Sequence, residues 1–195
     1  MTAFQRYLAN ESAMIRSIGL WLRGRKSGVE DGGVAVPYVQ PQKPMFIVFA
    51  AVTAVETAML WLADLGLAID LVLLVLGIYQ VMLMVGLLAG NVTRPHVVSP
   101  RELRVRGGVF FDLRVPAGNI RSLRRQTVNH EGYRFITVED DVLVLAVVQE
   151  TNLIAEFHEP VGYVRPLGKT GTVRAVKFYA DEPALAVGAF RSGPP

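Results

Sequence analysis

The residues of this chain whose types and spacing could do chemistry are three histidines, a run of arginines, an acidic triplet and one carboxylate inside an apolar stretch. His96, His130 and His158 are too widely separated for the short ligand spacing of a zinc or similar metal set, so they read as surface or loop residues. Gly168-Lys-Thr170 has the ending of a phosphate-binding loop. The preceding Gly162, however, is one position too far away, Pro166 intervenes, and the residues after Thr170 read as a strand instead of the helix whose N-terminus would hold phosphate. Glu139, Asp140 and Asp141 are consecutive on an expected hairpin and cannot all face one ion, which makes them a solvated turn. No Ser/His/Asp set or Gly-rich nucleotide fingerprint is present, and cysteine is absent, which removes disulfides, thiolate metal sites and cysteine nucleophiles. The expectation is a non-enzyme with no catalytic residues, no cofactor and no metal.

The arginines carry more information. Arg101, Arg104 and Arg106 recur on an alternating stretch, and Arg121, Arg124 and Arg125 form a second cluster. On strands these six would make a positive face suited to anionic lipid headgroups or to an acidic protein surface, or would simply solvate exposed strand positions. Nucleic acid is a poorer match, because no aromatic side chains are interleaved with the cluster as stacking platforms.

Glu56 lies near the middle of the apolar run Met45–Ala63, where an ionised carboxylate costs a few kcal/mol or more. Counting from the intervening turn places Gln80 of the run Leu71–Gly90 at about the same depth. A Glu56–Gln80 hydrogen bond is therefore predicted, with a proton-handling or partner-binding carboxyl as the functional reading. Each run has the ~20 apolar residues a spanning helix needs. Together, 45–63 and 71–90 read as a transmembrane helical hairpin joined by an acidic turn, Asp64 to Asp70. Ala50, Ala54 and Ala58 in the first run, and Gly86 and Gly90 in the second, are small residues at four-residue spacing. They suit close helix packing, within the hairpin or between protomers.

The elements around the hairpin follow from pattern and charge. Residues 1–44 carry six basic and three acidic side chains, and residues 91–195 carry fourteen and eleven. Basic flanks on both sides place both termini in the cytoplasm and the chain in the inner membrane. Residues 1–27 show helical spacing of Phe4, Tyr7, Leu8, Ile15, Ile18 and Leu22. This amphipathic helix would lie in the headgroup layer, or pack on the soluble domain or a partner subunit. Residues 28–44 are rich in Gly and Pro and read as a linker. From residue 91 the texture alternates, with strands expected at 102–106, 109–115, 120–128, 133–138, 142–148, 153–157 and 172–179. A helix comes next at about 182–191, with Asp181 as its N-cap, ending before Gly193-Pro-Pro195. The fold class is α+β: a two-helix hairpin followed by a small antiparallel β-barrel or sandwich with a C-terminal helix.

The run from Val97 through Arg106-Gly-Gly108 and Val115-Pro116 to Ile120-Arg-Ser122, with the terminal helix after Ala180-Asp-Glu-Pro183, resembles bacterial pleckstrin-homology-like (PH-like) domains. The resemblance covers about half the chain and implies a fold more than an activity. It implies an interaction module: a scaffold or accessory subunit of an inner-membrane protein assembly, in contact with membrane lipids and with other subunits or copies of itself. The arginine face offers the alternative, an anionic-lipid-sensing regulatory membrane protein.

Overall fold

The computed structural model describes residues 3–29, 32–63, 65–132, 135–166 and 168–191. Asp64, Tyr133, Gly193 to Pro195 and the side chains of residues 3–8, Phe4, Tyr7 and Leu8 among them, lie outside the described residues.

The first helix, α1 (Ala3–Leu22), ends at Gly24, whose φ of +63° lets Arg25 N–H reach back to the Leu20 carbonyl. It buries Ala13, Met14 and Ser17 and packs on a helix of the hairpin. That hairpin consists of α2 (Lys43–Leu62), opened by Pro44 in its first turn, and α3 (Leu67–Thr93). Both are long and apolar enough to cross a membrane. Side chains such as Ile47, Phe49, Val55, Val75 and Ile78 lie exposed along them, and no residue of α2 is buried.

The turn is shorter than the acidic segment expected. Gly66, at φ +101°, precedes α3, and Asp70 is a buried residue of the helix's first turn whose carboxylate accepts the Leu65 N–H at 3.3 Å. A carboxylate there complements the positive end of the helix dipole.

The hairpin does not precede a separate domain. It is inserted into one. Strand β1 (Val34–Val36), in the segment expected to be a linker, pairs antiparallel with β2 (His96–Val98), on the far side of the hairpin, with Val36 opposite His96. Three residues between glycines and a proline give little local strand signal, and the pairing is long-range. Next come β3 (Glu102–Gly107) and β4 (Phe111–Pro116), completing a sheet of order β1-β2-β3-β4. The second sheet is built from β5 (Ile120–Asn129), β6 (Ile136–Glu139), β7 (Val142–Leu145), β8 (Glu150–Val164) and β9 (Thr170–Phe178), in the order β5-β8-β9-β7-β6. It is mixed, not purely antiparallel: β9 returns between β8 and β7 and runs parallel to β7.

Alternation sets which residues enter the core. Along β4, Phe111, Leu113 and Val115 are buried while Asp112, Arg114 and Pro116 are exposed. These side chains meet Leu143, Leu153, Phe157, Val173, Val176 and Phe178 of the second sheet in one apolar core. Neither sheet closes on itself, so the arrangement is two packed sheets and no barrel. The last helix, α4 (Pro183–Arg191), touches β1, β2 and β5 and buries Ala186. Asp181 is not committed to capping it. Its carboxylate accepts the Gln40 N–H at 3.1 Å, and its own N–H donates to the Pro37 carbonyl, which ties the chain entering α2 to the C-terminal segment.

Candidate functional site

The functional features of the chain gather at the base of the hairpin, where α2 and α3 meet the β1–β4 sheet. Val36 and Tyr38 bring the incoming chain into the core, and His96 begins the outgoing one. The His96 ring is stacked on Tyr38, with centroids 4.4 Å apart, and meets the edge of Phe178 at 5.0 Å. Its Nδ1 accepts the Arg106 backbone N–H at 2.9 Å, which fixes the proton on Nε2, 2.9 Å from the Tyr179 carbonyl it donates to. Burial holds this imidazole neutral with a pKa pushed down to about 3, against the opposing pull of the Tyr179 carbonyl. His96 is thus a saturated core residue, in place of the surface residue expected from sequence. His130 is half-buried with Nε2 2.9 Å from Thr151 Oγ1, and His158 is exposed.

Around this core pair lies a cluster of arginines. Arg106 is buried, and its guanidinium donates to the Ser27 carbonyl at 2.6 Å and the Gly28 carbonyl at 3.3 Å, with its Nε 3.8 Å from Asp112. Burial brings its pKa down to about 10. Arg104 engages Asp112 with both prongs, its Nε 2.7 Å from Oδ1, and Arg114 stands 3.9 Å from the same carboxylate. Asp112 is held below the usual carboxylate range: burial alone would raise it, and the hydrogen bonds and charge of Arg104 overcome that. Arg94, the first residue after α3, has a buried Nε with no hydrogen-bond partner among the described residues. Burial lowers its pKa, and the charge of Arg16 on α1 pushes the same way. A cavity of about 100 Å³ opens beside it, lined by Arg94, Arg106, Asp112 and residues 108–111 of the β3–β4 turn.

The six arginines singled out from sequence divide between these surroundings and the far sheet. Arg104 and Arg106 belong to the cluster just described, and Arg106, at 3% exposed, cannot serve an exposed face. Arg101 is exposed ahead of β3. Arg121, Arg124 and Arg125 are exposed on β5 in the other sheet, where Arg124 pairs with Glu156 at 3.1 Å. Tyr38, Arg94, Arg16 and Asp112 were not anticipated. Asp112 had only a partial signal: a turn at Gly107-Gly108 would set Arg106 opposite Val109, whereas the strands pair about Val109, with Gly107 opposite Phe111 and Arg106 opposite Asp112.

Inside the hairpin the polar pair is not formed. Glu56 and Gln80 are both exposed, and among the described residues no hydrogen bond joins them. The seam runs one residue after Glu56 in α2 and three before Gln80 in α3, where Thr57 faces Gly77 so closely that a methyl group on Gly77 would collide with the threonine side chain. Counting from the turn fixes depth, but a one-residue step rotates a side chain by about 100° around the helix.

The small residues also find other neighbours than expected. Gly86 packs against Met14 of α1, and Gly90 against Val109 of the β3–β4 turn. Ala50 is half-buried, and Ala54 and Ala58 line an open apolar groove of about 1000 Å³ between α1, α2 and α3. Glu139, Asp140 and Asp141 are exposed at the β6–β7 turn, and Gly168-Lys-Thr170 lies at the β8–β9 turn with Thr170 starting a strand. Compared with protein-family models, with curated proteins and with solved structures, the chain matches none.

Proposed function

We propose that this chain is a non-enzymatic, membrane-anchored interaction module, a PH-like β domain held against the inner membrane as a scaffold or accessory subunit of a larger protein assembly. The supporting observation is the insertion of α2–α3 between the paired strands β1 and β2. A domain attached through one flexible tether can reorient freely. Here both ends of the hairpin enter the same sheet, and they are cross-tied by Ser27 N–H to the Thr93 carbonyl and by Asn91 to Gln42 at 3.3 Å. The β domain therefore presents fixed faces to whatever lies beside it in the membrane, a property suited to an assembly subunit.

The absence of cysteine makes the test clean. Single cysteines replacing Leu65 at the hairpin turn and Lys169 at the β8–β9 turn should label from opposite sides of the membrane, Lys169→Cys from the cytoplasm. Photo-crosslinkers at exposed positions of β4 and β5 should then give discrete adducts in intact membranes. Labelling of both positions from the same side, or uniformly monomeric protein with no adduct, would overturn the reading. The alternative, an anionic-lipid-sensing regulatory protein, is favoured by the gathering of Arg16, Arg94, Arg104 and Arg106 where α3 would leave the bilayer.

A further inference from the structure

We propose that the cavity between Arg94 and the β3–β4 turn is a binding site for a phosphate-class anion, with Arg94 as its counter-charge. The inference rests on the membrane-anchored reading only for where such an anion would come from. The other buried or half-buried cations of the strands already have work: Arg104 grips Asp112, and Arg106 holds the carbonyls of Ser27 and Gly28. Asp112 lines the cavity too and its charge favours the charged form of Arg94, but its two oxygens are engaged by Arg104, with Arg106 and Arg114 close by, and among the described residues it forms no salt bridge with Arg94. Arg94 carries a buried Nε without a hydrogen-bond partner among the described residues and sits within the field of Arg16, a like charge. A half-buried guanidinium whose one nearby carboxylate is already shared with other arginines gains from an added anion. The planar fork matches two oxygens of a phosphate. A volume of about 100 Å³ leaves room for one tetrahedral oxyanion.

The position also suits the chemistry. Arg94 directly follows α3, at the level of phospholipid headgroups if that helix spans the bilayer. A headgroup phosphate and free phosphate share the oxyanion, and the experiment separates them. Full-length protein in a non-ionic detergent is titrated calorimetrically with inorganic phosphate and, separately, with a soluble short-chain phosphatidylglycerol. Saturable binding of at least one is expected. Arg94→Gln should weaken it by about tenfold or more, Arg94→Lys by less, and Arg125→Gln on the far sheet not at all. Binding confined to the lipid assigns the site to headgroups, and equal binding of both assigns it to soluble phosphate. No binding to either probe, or equal affinity in wild type and Arg94→Gln, overturns the site. If Arg94→Gln shows no cooperative melting, Arg16→Gln carries the test, with a several-fold loss expected and an unchanged affinity overturning the proposal. Retention of wild type in carbonate-washed membranes is scored separately, so failure of the anchor and failure of the anion site are distinguishable.

Discussion

The ring of Tyr38, which precedes the first apolar helix, lies 4.4 Å from that of His96, which comes after the second, so one aromatic stack closes the base of the inserted hairpin. The two positions are adjacent in space because β1 and β2 pair across the insertion, and each ring also holds a backbone group of the neighbouring hairpin. Tyr38 Oη accepts the Gly108 N–H at 2.7 Å, and His96 Nδ1 accepts that of Arg106. Removing the hydroxyl in Tyr38→Phe keeps the stack and strands one buried N–H, which should cost about 1–3 kcal/mol. Tyr38→Ala also opens a cavity and should cost about 3–5 kcal/mol. Denaturation of the detergent-solubilised protein by circular dichroism measures both. Equal losses for the two variants would mean that the stack contributes nothing.

The same pair predicts an acid dependence of stability. The native His96 ring, buried beside Arg106 and Tyr38, resists protonation down to about pH 3, whereas in the unfolded chain it takes a proton below its ordinary value of 6.5. Between those limits the unfolded state binds more protons, so stability falls as pH falls, by up to about 1.4 kcal/mol per pH unit from this group alone. His96→Phe should be less stable near neutrality but show a shallower decline between about pH 6 and pH 4. Parallel slopes in wild type and variant would refute the assignment.

The range of each interaction decides how much of it the sequence reveals. The two apolar runs and the alternation of Leu103, Val105, Leu113 and Val115 are local signals, and helices and strands stand where those signals lie. Val34–Val36 becomes a strand only because residues beyond the hairpin pair with it, and His96 is buried only because Tyr38 and Phe178 enclose it. Arg106 looks like an outward position of an alternating strand. It is covered because Ser27 and Gly28 cross over it, a contact that no spacing within β3 encodes. The arginine cluster was partly visible for the same reason: its strand members alternate, while Arg94 and Arg16 join it only through tertiary packing.

The helix seam gives a third prediction. Gly77 of α3 abuts Thr57 of α2, whose hydroxyl is itself bonded to the Thr53 carbonyl at 2.7 Å. A methyl group at position 77 must push the helices apart, and overpacking of this kind should cost about 1–3 kcal/mol in Gly77→Ala. The reciprocal double variant, Thr57→Gly with Gly77→Ala, restores the space from the other side. Its loss should be well below the sum of the two single losses, the mark of direct contact. Strict additivity in detergent melting would place the helix contact elsewhere.

The tight turn between β7 and β8 offers a gain in stability instead of a loss. Val148 and Gln149 both have positive φ, 48° and 64°, and Val147 bridges to Glu150 across them, the geometry of a type I′ turn. A β-branched side chain is poorly tolerated there, because its Cβ crowds the backbone in the left-handed region. Val148 is also 59% exposed, so no core packing compensates the strain. Asn-Gly is the pair this turn favours, since asparagine tolerates the left-handed conformation and glycine has no Cβ to clash. Val148→Asn with Gln149→Gly should therefore raise stability by about 1 kcal/mol or more, less whatever the added glycine costs in unfolded-state entropy. The paired variant should melt at a higher temperature than wild type while leaving the β5–β8 and β8–β9 amide exchange pattern intact. A lower melting temperature would show that Val148 is held in this turn by contacts that outweigh its strain.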